Sequence, residues 1–284
     1  VCSRFTQSRN HAITLHASSK GYSMETYTVV SISIISVVVI SALLLYIYFS
    51  KSLWIKAFAS GAPVNPFRML LLRVRGIDTK NFLKLKIKAA ESGVKISSVV
   101  LESHIRSGAN LDLILDAAIK AAQAGIQIDT TVLRTHLLAG GDVNLIADSK
   151  ILAAKAGVDI DINDLSSHQL AGGNVKLLVD SKIKADKSDV KIDLNELASH
   201  LLAGGNVQLL VDSKIKADKS GVEIDIKDLA SHLLAGGDVQ LLVDSKIKAD
   251  KSGIKIETGN LGSHHLRGGN IELLVDSMIK ADKA

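Results

Sequence analysis

Apolar residues recur at helical spacing through one stretch in the second half of the chain. The positions lie three or four residues apart along most of it: Val207, Leu210, Val211, Ile215 and Ala217. Asn206 stands just before the series as a good N-cap, and Gly221 follows it where a helix can end in a left-handed residue. This pattern predicts a helix of about four turns.

The pattern then changes to alternation. Val222, Ile224 and Ile226 alternate with charged residues, which predicts a very short strand. Asp225 can cap a shorter helix that carries Leu229 and ends at a pair of glycines. One unit is therefore predicted to be a long helix, a short strand and a short helix.

This unit recurs every 32 residues without insertion or deletion. A histidine marks each copy, and its positions are His104, His136, His168, His200, His232 and His264. With a degenerate earlier copy before the first histidine, the chain holds about six and a half units. Because no copy can bury its own apolar faces, the units are expected to stack. The predicted fold class is mainly α, a solenoid of 32-residue helix-strand-helix repeats with short parallel strands, preceded by a transmembrane helix.

Two glycines and an Asn or Asp separate the short helix from the next long helix. The predicted turn and cap residues are Gly140, Gly141, Asp142, Gly172, Gly173, Asn174, Gly204, Gly205, Asn206, Gly236, Gly237, Asp238, Gly268, Gly269 and Asn270. Such a loop can cradle a phosphate, but no GxxxxGK[ST] motif is present and Asp at the cap would repel an anion. The glycines are interpreted as the end of one helix and the Asn or Asp as the cap of the next.

The first third of the chain contains a long apolar run. Residues 29–49 hold 21 residues without a charge, enough to cross the ~30 Å hydrocarbon layer. A cleaved signal peptide is the alternative, although its apolar region would be shorter. Residues 1–28 are predicted to be a disordered or untranslated leader, since Met24 is a candidate start.

Basic and aromatic residues follow the run, which places the carboxy-terminal part in the cytoplasm by the positive-inside rule. Residues 50–76 are predicted to lie in the membrane interface, and a linker with a buried short helix is the alternative. The predicted interface residues are Trp54, Lys56, Phe58, Arg68, Arg73 and Arg75. The solenoid is then assigned to residues 77–284.

Composition narrows the chemistry that the repeats can perform. The chain is 47% hydrophobic but only 4% aromatic, and its formal charge is +5 without a basic stripe, which argues against a nucleic-acid partner. One cysteine, Cys2, rules out an intrachain disulfide. The repeated Asp and Lys of the long helix, such as Asp212 and Lys216, are interpreted as a solvated face.

The histidines have two interpretations. A metal or proton-relay site is one, but no Cys or HxxxH partner accompanies them, and no Ser-His-Asp arrangement is specified. The other is a structural ladder of neutral imidazoles bonded to the backbone of the neighbouring turn, which protonation could loosen. No catalytic residue, metal site or cofactor is predicted, and the chain is not predicted to be an enzyme.

Several stretches resemble the bacterial flotillin-like protein A (FloA) family. They are Leu53-Trp54-Ile55, Met69 to Val74, Leu101 to Ala124, and HLLAGGDV from His136, within about residues 30–175. The resemblance implies a membrane-anchored, oligomerising scaffold of microdomains at the cytoplasmic membrane face, without catalytic residues. The family's band-7/prohibitin-type domain and coiled-coil part have no counterpart here, and further repeats occupy their place.

The predicted function is accordingly a single-pass, flotillin-like scaffold in the cell membrane that self-assembles and organises microdomains or partner proteins. Its partners would be membrane lipid, further copies of itself and other proteins. The last long helix ends the sequence without a polar capping repeat, so head-to-tail stacking is expected, and a fragment of a longer chain is the alternative. An adaptor that binds a partner protein or peptide, and a metal- or pH-responsive protein, are the other two hypotheses.

Overall fold

The computed structural model describes residues 26–44, 53 and 55–283. The chain divides into two compact units, Val1–Leu70 and Leu71–Ala284. Trp54, most of the predicted leader and residues 45–49 of the predicted span lie outside the described residues.

The first unit contains one long apolar helix, α1 (Thr26–Leu44), which begins three residues before the predicted span. Its mean hydropathy is 2.4, so it is long and apolar enough to cross a membrane. Its serines bond within the helix: the hydroxyls of Ser33 and Ser36 donate to the carbonyls of Val29 and Ile32, both at 2.8 Å. These polar groups are therefore satisfied without water, as a hydrocarbon environment requires.

A short helical segment at residues 55–59 precedes α2 (Pro66–Val74). Met69 and Leu72 of α2 are buried, whereas another face is exposed. That exposed face is apolar, with members at i, i+3, i+4 and i+7: Phe67, Leu70, Leu71 and Val74. We call these four residues the α2 apolar face.

Long and short helices alternate through the second unit. The long helices are α3 (Thr79–Glu91), α5 (Leu111–Gln123), α7 (Val143–Lys155), α9 (Val175–Lys187), α11 (Val207–Lys219), α13 (Val239–Lys251) and α15 (Ile271–Asp282). The short helices are α4 (Ser98–Arg106), α6 (Thr130–Leu138), α8 (Ile162–Leu170), α10 (Leu194–Leu202), α12 (Ile226–Leu234) and α14 (Thr258–Leu266).

The repeats stack as two rows of helices. Each of the long helices from α3 to α13 packs on the next long helix, and α6, α10 and α12 each pack on the next short helix. Val207, Leu210 and Val211 from α11 are buried with Leu229 of α12 in one continuous core. Removing a side chain such as Leu210 would cost about 2–5 kcal/mol, because a core this closely packed does not collapse into the cavity. Stacking rather than any single unit thus creates the core.

Side chains and glycines occupy the ends of the helices. The side chain of Asn206 accepts a hydrogen bond from the backbone N–H of Leu209 at 3.0 Å, and Gly221 after α11 has φ +74°. One repeat differs, since Asp189 adopts φ +59° at the position that Gly221 occupies after α11. Asp is among the few residues with a side chain that tolerate this conformation.

The predicted short parallel strands are wrong, because the structure has no strand anywhere in the described residues. Residues 222–225 are an extended connector instead. The N–H of Val222 donates back to Ala217 O of the preceding helix at 3.0 Å, and Ile224 O accepts from the Lys214 ammonium at 2.8 Å. Val222 and Ile224 alternate with charged residues because they point into the core, and their backbone groups bond within the same repeat instead of in a ladder.

Candidate functional site: the histidine and glycine junction between repeats

Each marker histidine lies near the end of a short helix, and two glycines follow it in every copy except that of His104. His104, His136, His168, His200 and His232 are buried, whereas His264 is exposed. The first glycine of each pair has positive φ, +82° at Gly204, and ends the helix. The second has no such φ, and the N–H of Gly205 donates to His200 O at 2.9 Å.

The second glycine is required by the histidine. A Cβ built on Gly205 would lie 2.3 Å from His200 Nε2, and one built on Gly141 would lie 2.2 Å from His136 Nε2. The same contact recurs at Gly173, Gly237 and Gly269. Because carbon atoms cannot approach so closely, the imidazole occupies the space that a side chain would need. The two glycines are therefore required for different physical reasons. The first is required by its positive φ, and the second by the space that the imidazole occupies.

One repeat provides a natural exception. Ala109 occupies the place of the second glycine after α4. There the His104 ring makes a different contact, with Nε2 3.1 Å from Thr130 O at the start of the next short helix. A carbonyl only accepts, so Nε2 carries the proton and donates.

The other buried rings meet different groups from the following short helix. His136 Nδ1 lies 2.7 Å from Ser166 Oγ, and its Nε2 lies 2.5 Å from Gln169 Oε1. His232 Nε2 lies 3.0 Å from His265 Nδ1. The residues of α10 and α12 that correspond to Gln169 and His265 are Leu201 and Leu233, which offer no polar group.

Among the described residues, His168 consequently has no hydrogen-bond partner at either ring nitrogen. Neither ring nitrogen of His200 has a partner in the part of the chain that the structure describes. The backbone of Asn206 lies near enough to oppose part of the lowering of its pKa by burial.

Burial controls the protonation of four of these rings. It lowers the pKa of His104, His168, His200 and His232, because the charged imidazolium would lose its hydration. Arg134 lowers the pKa of His104 further, and His265 does so for His232. The opposing influences are weaker: the Thr130 carbonyl and Asp129 at His104, and Asp238 at His232. Burial therefore favours the neutral form of these four imidazoles.

The cap residues after the glycines use the first N–H groups of each long helix. Asp142 Oδ1 accepts from Asn144 N at 2.9 Å and Leu145 N at 3.2 Å, and Asn174 accepts from Leu177 N at 3.0 Å. These N–H groups would be the ones to bind a phosphate. Within the described residues, no group of three His, Cys, Asp or Glu side chains could hold a metal ion.

The predicted membrane-interface residues have different surroundings. Lys56, Phe58, Arg73 and Arg75 are exposed, and Arg68 is half-buried. Arg75 also makes a contact that was not predicted, a 2.6 Å ion pair from Nη1 to the buried Glu102 of α4.

One further contact repeats along the array and was not anticipated. Lysines of one long helix pair with aspartates of the next, as in Lys184–Asp212 and Lys216–Asp244, both at 2.5 Å. These side chains are about half exposed, so each pair contributes little, ~0–1 kcal/mol. The 28-residue offset between partners could have been found in the sequence once the long helices were known to be neighbours.

Comparison with known proteins relates these repeats to one family. The family model described as "Flotillin-like protein FloA" matches residues 29–122 and 143–208, more than half of the chain. The chain belongs to the FloA family. The match begins inside α1 and includes α2, α3, α4, most of α5, and the His168 and His200 junctions.

Three curated FloA proteins are similar over shorter stretches. Those from Desulfosudis oleivorans, Staphylococcus aureus and Staphylococcus epidermidis are 38% identical over 79 residues, 34% over 75 and 32% over 75. The matched part is 26–27% of this chain and 23–24% of each relative. The chain thus spans about a quarter of the FloA proteins that it matches. No solved structure matches.

Proposed function

We propose that this FloA-family chain is a single-pass membrane scaffold whose repeats self-assemble at the cytoplasmic face and organise membrane microdomains or partner proteins. Family membership is the observation that carries the proposal. The apolar helix α1 supports the anchor, and the stacked repeats supply a long surface of regular spacing. Membrane lipid and other copies of the chain are the expected partners.

The α2 apolar face supports contact with lipid. Its four side chains are exposed, at 78% for Phe67 and 79% for Val74, and Arg68, Arg73 and Arg75 lie close by in sequence. An amphipathic helix of this kind lies in the membrane interface with its apolar side among the acyl chains and its arginines near the headgroups. We therefore propose that α2 lies in the interface.

Cysteine labelling tests this position of α2. In a Cys2→Ser background, we expect Leu71→Cys to react several-fold more slowly with a membrane-impermeant maleimide than Lys80→Cys in membrane vesicles, because lipid covers the α2 apolar face. Lys80 is exposed on α3 and provides the control. Equal rates at the two positions would contradict the proposal for α2. In intact cells, labelling of Lys80→Cys before permeabilisation would contradict the cytoplasmic placement of the repeats.

Self-assembly has a candidate surface in a row of exposed leucines at the ends of the short helices. We call it the leucine row, and it consists of Leu138, Leu170, Leu202, Leu234 and Leu266. A second copy of the chain carries the same row with the same 32-residue spacing, so the two rows match in register along their whole length. We propose the second copy as its occupant.

Co-purification of two differently tagged full-length copies tests this. We expect each copy to recover the other in mild detergent, and Leu170→Gln, Leu202→Gln and Leu234→Gln together to reduce the recovery because the apolar contact is lost. The matched control changes the exposed Lys187, Lys219 and Lys251 to Gln at the same spacing. Recovery of a different protein and not of the second copy would favour the adaptor hypothesis. Unchanged recovery with the leucine variant would exclude the leucine row.

A further inference from the structure

A lysine from the long helix closes the connector in four repeats. The ammonium groups of Lys86, Lys150, Lys182 and Lys214 donate to the carbonyls of Ile96, Ile160, Ile192 and Ile224, ten residues later, at 2.5–2.8 Å. In each case the aliphatic stem lies along the repeat and the charged end is held by a backbone carbonyl. We call this contact the lysine–carbonyl bond.

Within the described residues, the repeats that contain α5 and α13 lack this bond; α13 has the lysine, Lys246, which donates to Asp250 at 2.8 Å instead, whereas α5 has no lysine at this place. Ala118 stands where the other five long helices from α3 to α13 have a lysine: Lys86, Lys150, Lys182, Lys214 and Lys246. Ile128 O is the corresponding carbonyl, and it has no side-chain donor in the described part of the chain. Its connector is also less covered, because Ile126 and Ile128 are half-buried whereas Val190 and Ile192 are buried.

A cleft of about 620 Å³ opens at this place. It lies between the connectors at residues 92–97 and 125–131, and both Ala118 and Ile128 line it. Two alanines, Ala118 and Ala122, form its floor, while Val94, Ile96 and Ile126 contribute apolar walls. The missing lysine therefore leaves apolar walls for an alkyl chain together with a carbonyl acceptor.

We propose that this cleft binds a primary alkylammonium group, from either a free aliphatic amine or a lysine side chain of another protein. The lysines of the neighbouring repeats show which chemistry fits, since each places an unbranched four-carbon stem and an ammonium in the equivalent position. A bound amine would replace the absent side chain and donate to Ile128 O. This assignment does not depend on the scaffold proposal.

Two charged residues of opposite sign, Asp129 and Lys95, line the cleft. Asp129 lines it and uses one carboxylate oxygen to cap α6 at Thr131 N, at 2.8 Å. Lys95 lines it from the other connector, and Gln127 is at the position of Asp159, which pairs with Lys150 in the next repeat. Recognition thus rests on the carbonyl and the apolar walls, and we expect binding to weaken little with added salt.

Saturation-transfer NMR on the full-length protein in deuterated detergent tests the site. The probes are n-butylammonium, 1-butanol, and a lysine peptide that is acetylated at its α-amino group and amidated at its carboxyl end, so that its side-chain ammonium is free. We expect transfer to the butylammonium methylenes in the wild type and its loss in Ala118→Lys, where the built-in side chain fills the cleft. Ala118→Met fills the cleft without an ammonium and should abolish transfer as well. Gln123→Lys adds the same charge on α5 outside the cleft and should leave transfer unchanged.

The possible results separate the proposal from its rivals. Transfer to an amine probe in all four proteins, or to neither amine probe in any of them, would overturn it. Equal transfer to 1-butanol and butylammonium would also overturn it, because an apolar cleft without carbonyl recognition would then explain the binding. Transfer to the lysine peptide alone supports a protein-borne lysine as the natural occupant, and transfer to both amines supports a site open to free amines.

Discussion

Gly205→Ala is expected to destabilise the repeats by about 1–3 kcal/mol, the range for forcing extra atoms into a packed site. The new Cβ would lie 2.3 Å from His200 Nε2, so the imidazole must leave its place. His200 is buried where α10 packs on α12, so the displaced ring would disturb the packing between these helices. The junction with Ala109 shows what such a ring does instead, because His104 there contacts the carbonyl of the following repeat.

A double-mutant cycle with His200→Ala tests the cause. Thermal and urea unfolding, followed by far-UV circular dichroism in detergent, should show a large penalty for Gly205→Ala alone and a much smaller one when His200 is already Ala. Gly204→Ala serves as the matched control, because its strain comes from φ +82° with no atom near the new Cβ, and His200→Ala should not relieve it. Equal penalties for Gly205→Ala in both backgrounds would show that the ring is not responsible.

The helices of the repeat could be predicted because several local signals agree in each copy. The caps at Asn206 and Asp225, the glycine after each helix and the apolar spacing all indicate the same boundaries, and α11 and α12 follow them closely. The strand at Val222–Ile226 was wrong because alternation reports which side faces a core and says nothing about the partner of the backbone groups. Here the carbonyl of Ile224 accepts from the ammonium of Lys214, ten residues earlier in the same repeat.

The junction was harder to predict than the helices. Spacing identified every histidine and glycine, but the reason for the second glycine is a ring-to-backbone contact that only the folded turn creates. The partners of the rings depend on the next repeat, which explains why His136 is bonded to Gln169 whereas His168 faces a repeat without a polar group at that place. The sequence shows that Ala118 replaces the lysine of the other repeats. That this replacement opens a cleft could be recognised only once the structure showed the lysine–carbonyl bond.

Acidification from pH 8 to 5.5 is expected to lower the melting temperature of the repeats. The pKa values of His104, His168, His200 and His232 lie below the ordinary value of 6.5, chiefly because burial disfavours the charged ring. Between the folded and unfolded pKa values the unfolded chain binds more protons, so stability rises with pH there. The contribution is complete above about pH 6.5, is lost as the pH falls below it, and levels off under the folded pKa.

Substitution of His168 and His200, whose rings have no hydrogen-bond partner among the described residues, isolates this effect. We expect His168→Leu with His200→Leu to flatten the decline between pH 8 and 5.5, measured by circular dichroism melting of the full chain in detergent. His264→Leu is the matched control, since that ring is exposed and its loss should leave the slope unchanged. Asp159, whose pKa the Lys150 ammonium lowers, loses its contribution to stability only below about pH 4, outside the pH range of the experiment.

A melting temperature that does not change between pH 8 and 5.5 would contradict the role of the buried imidazoles. If the decline appears and the double variant removes it, the buried imidazoles at the junctions make the stacking of the repeats sensitive to protons between pH 8 and 5.5.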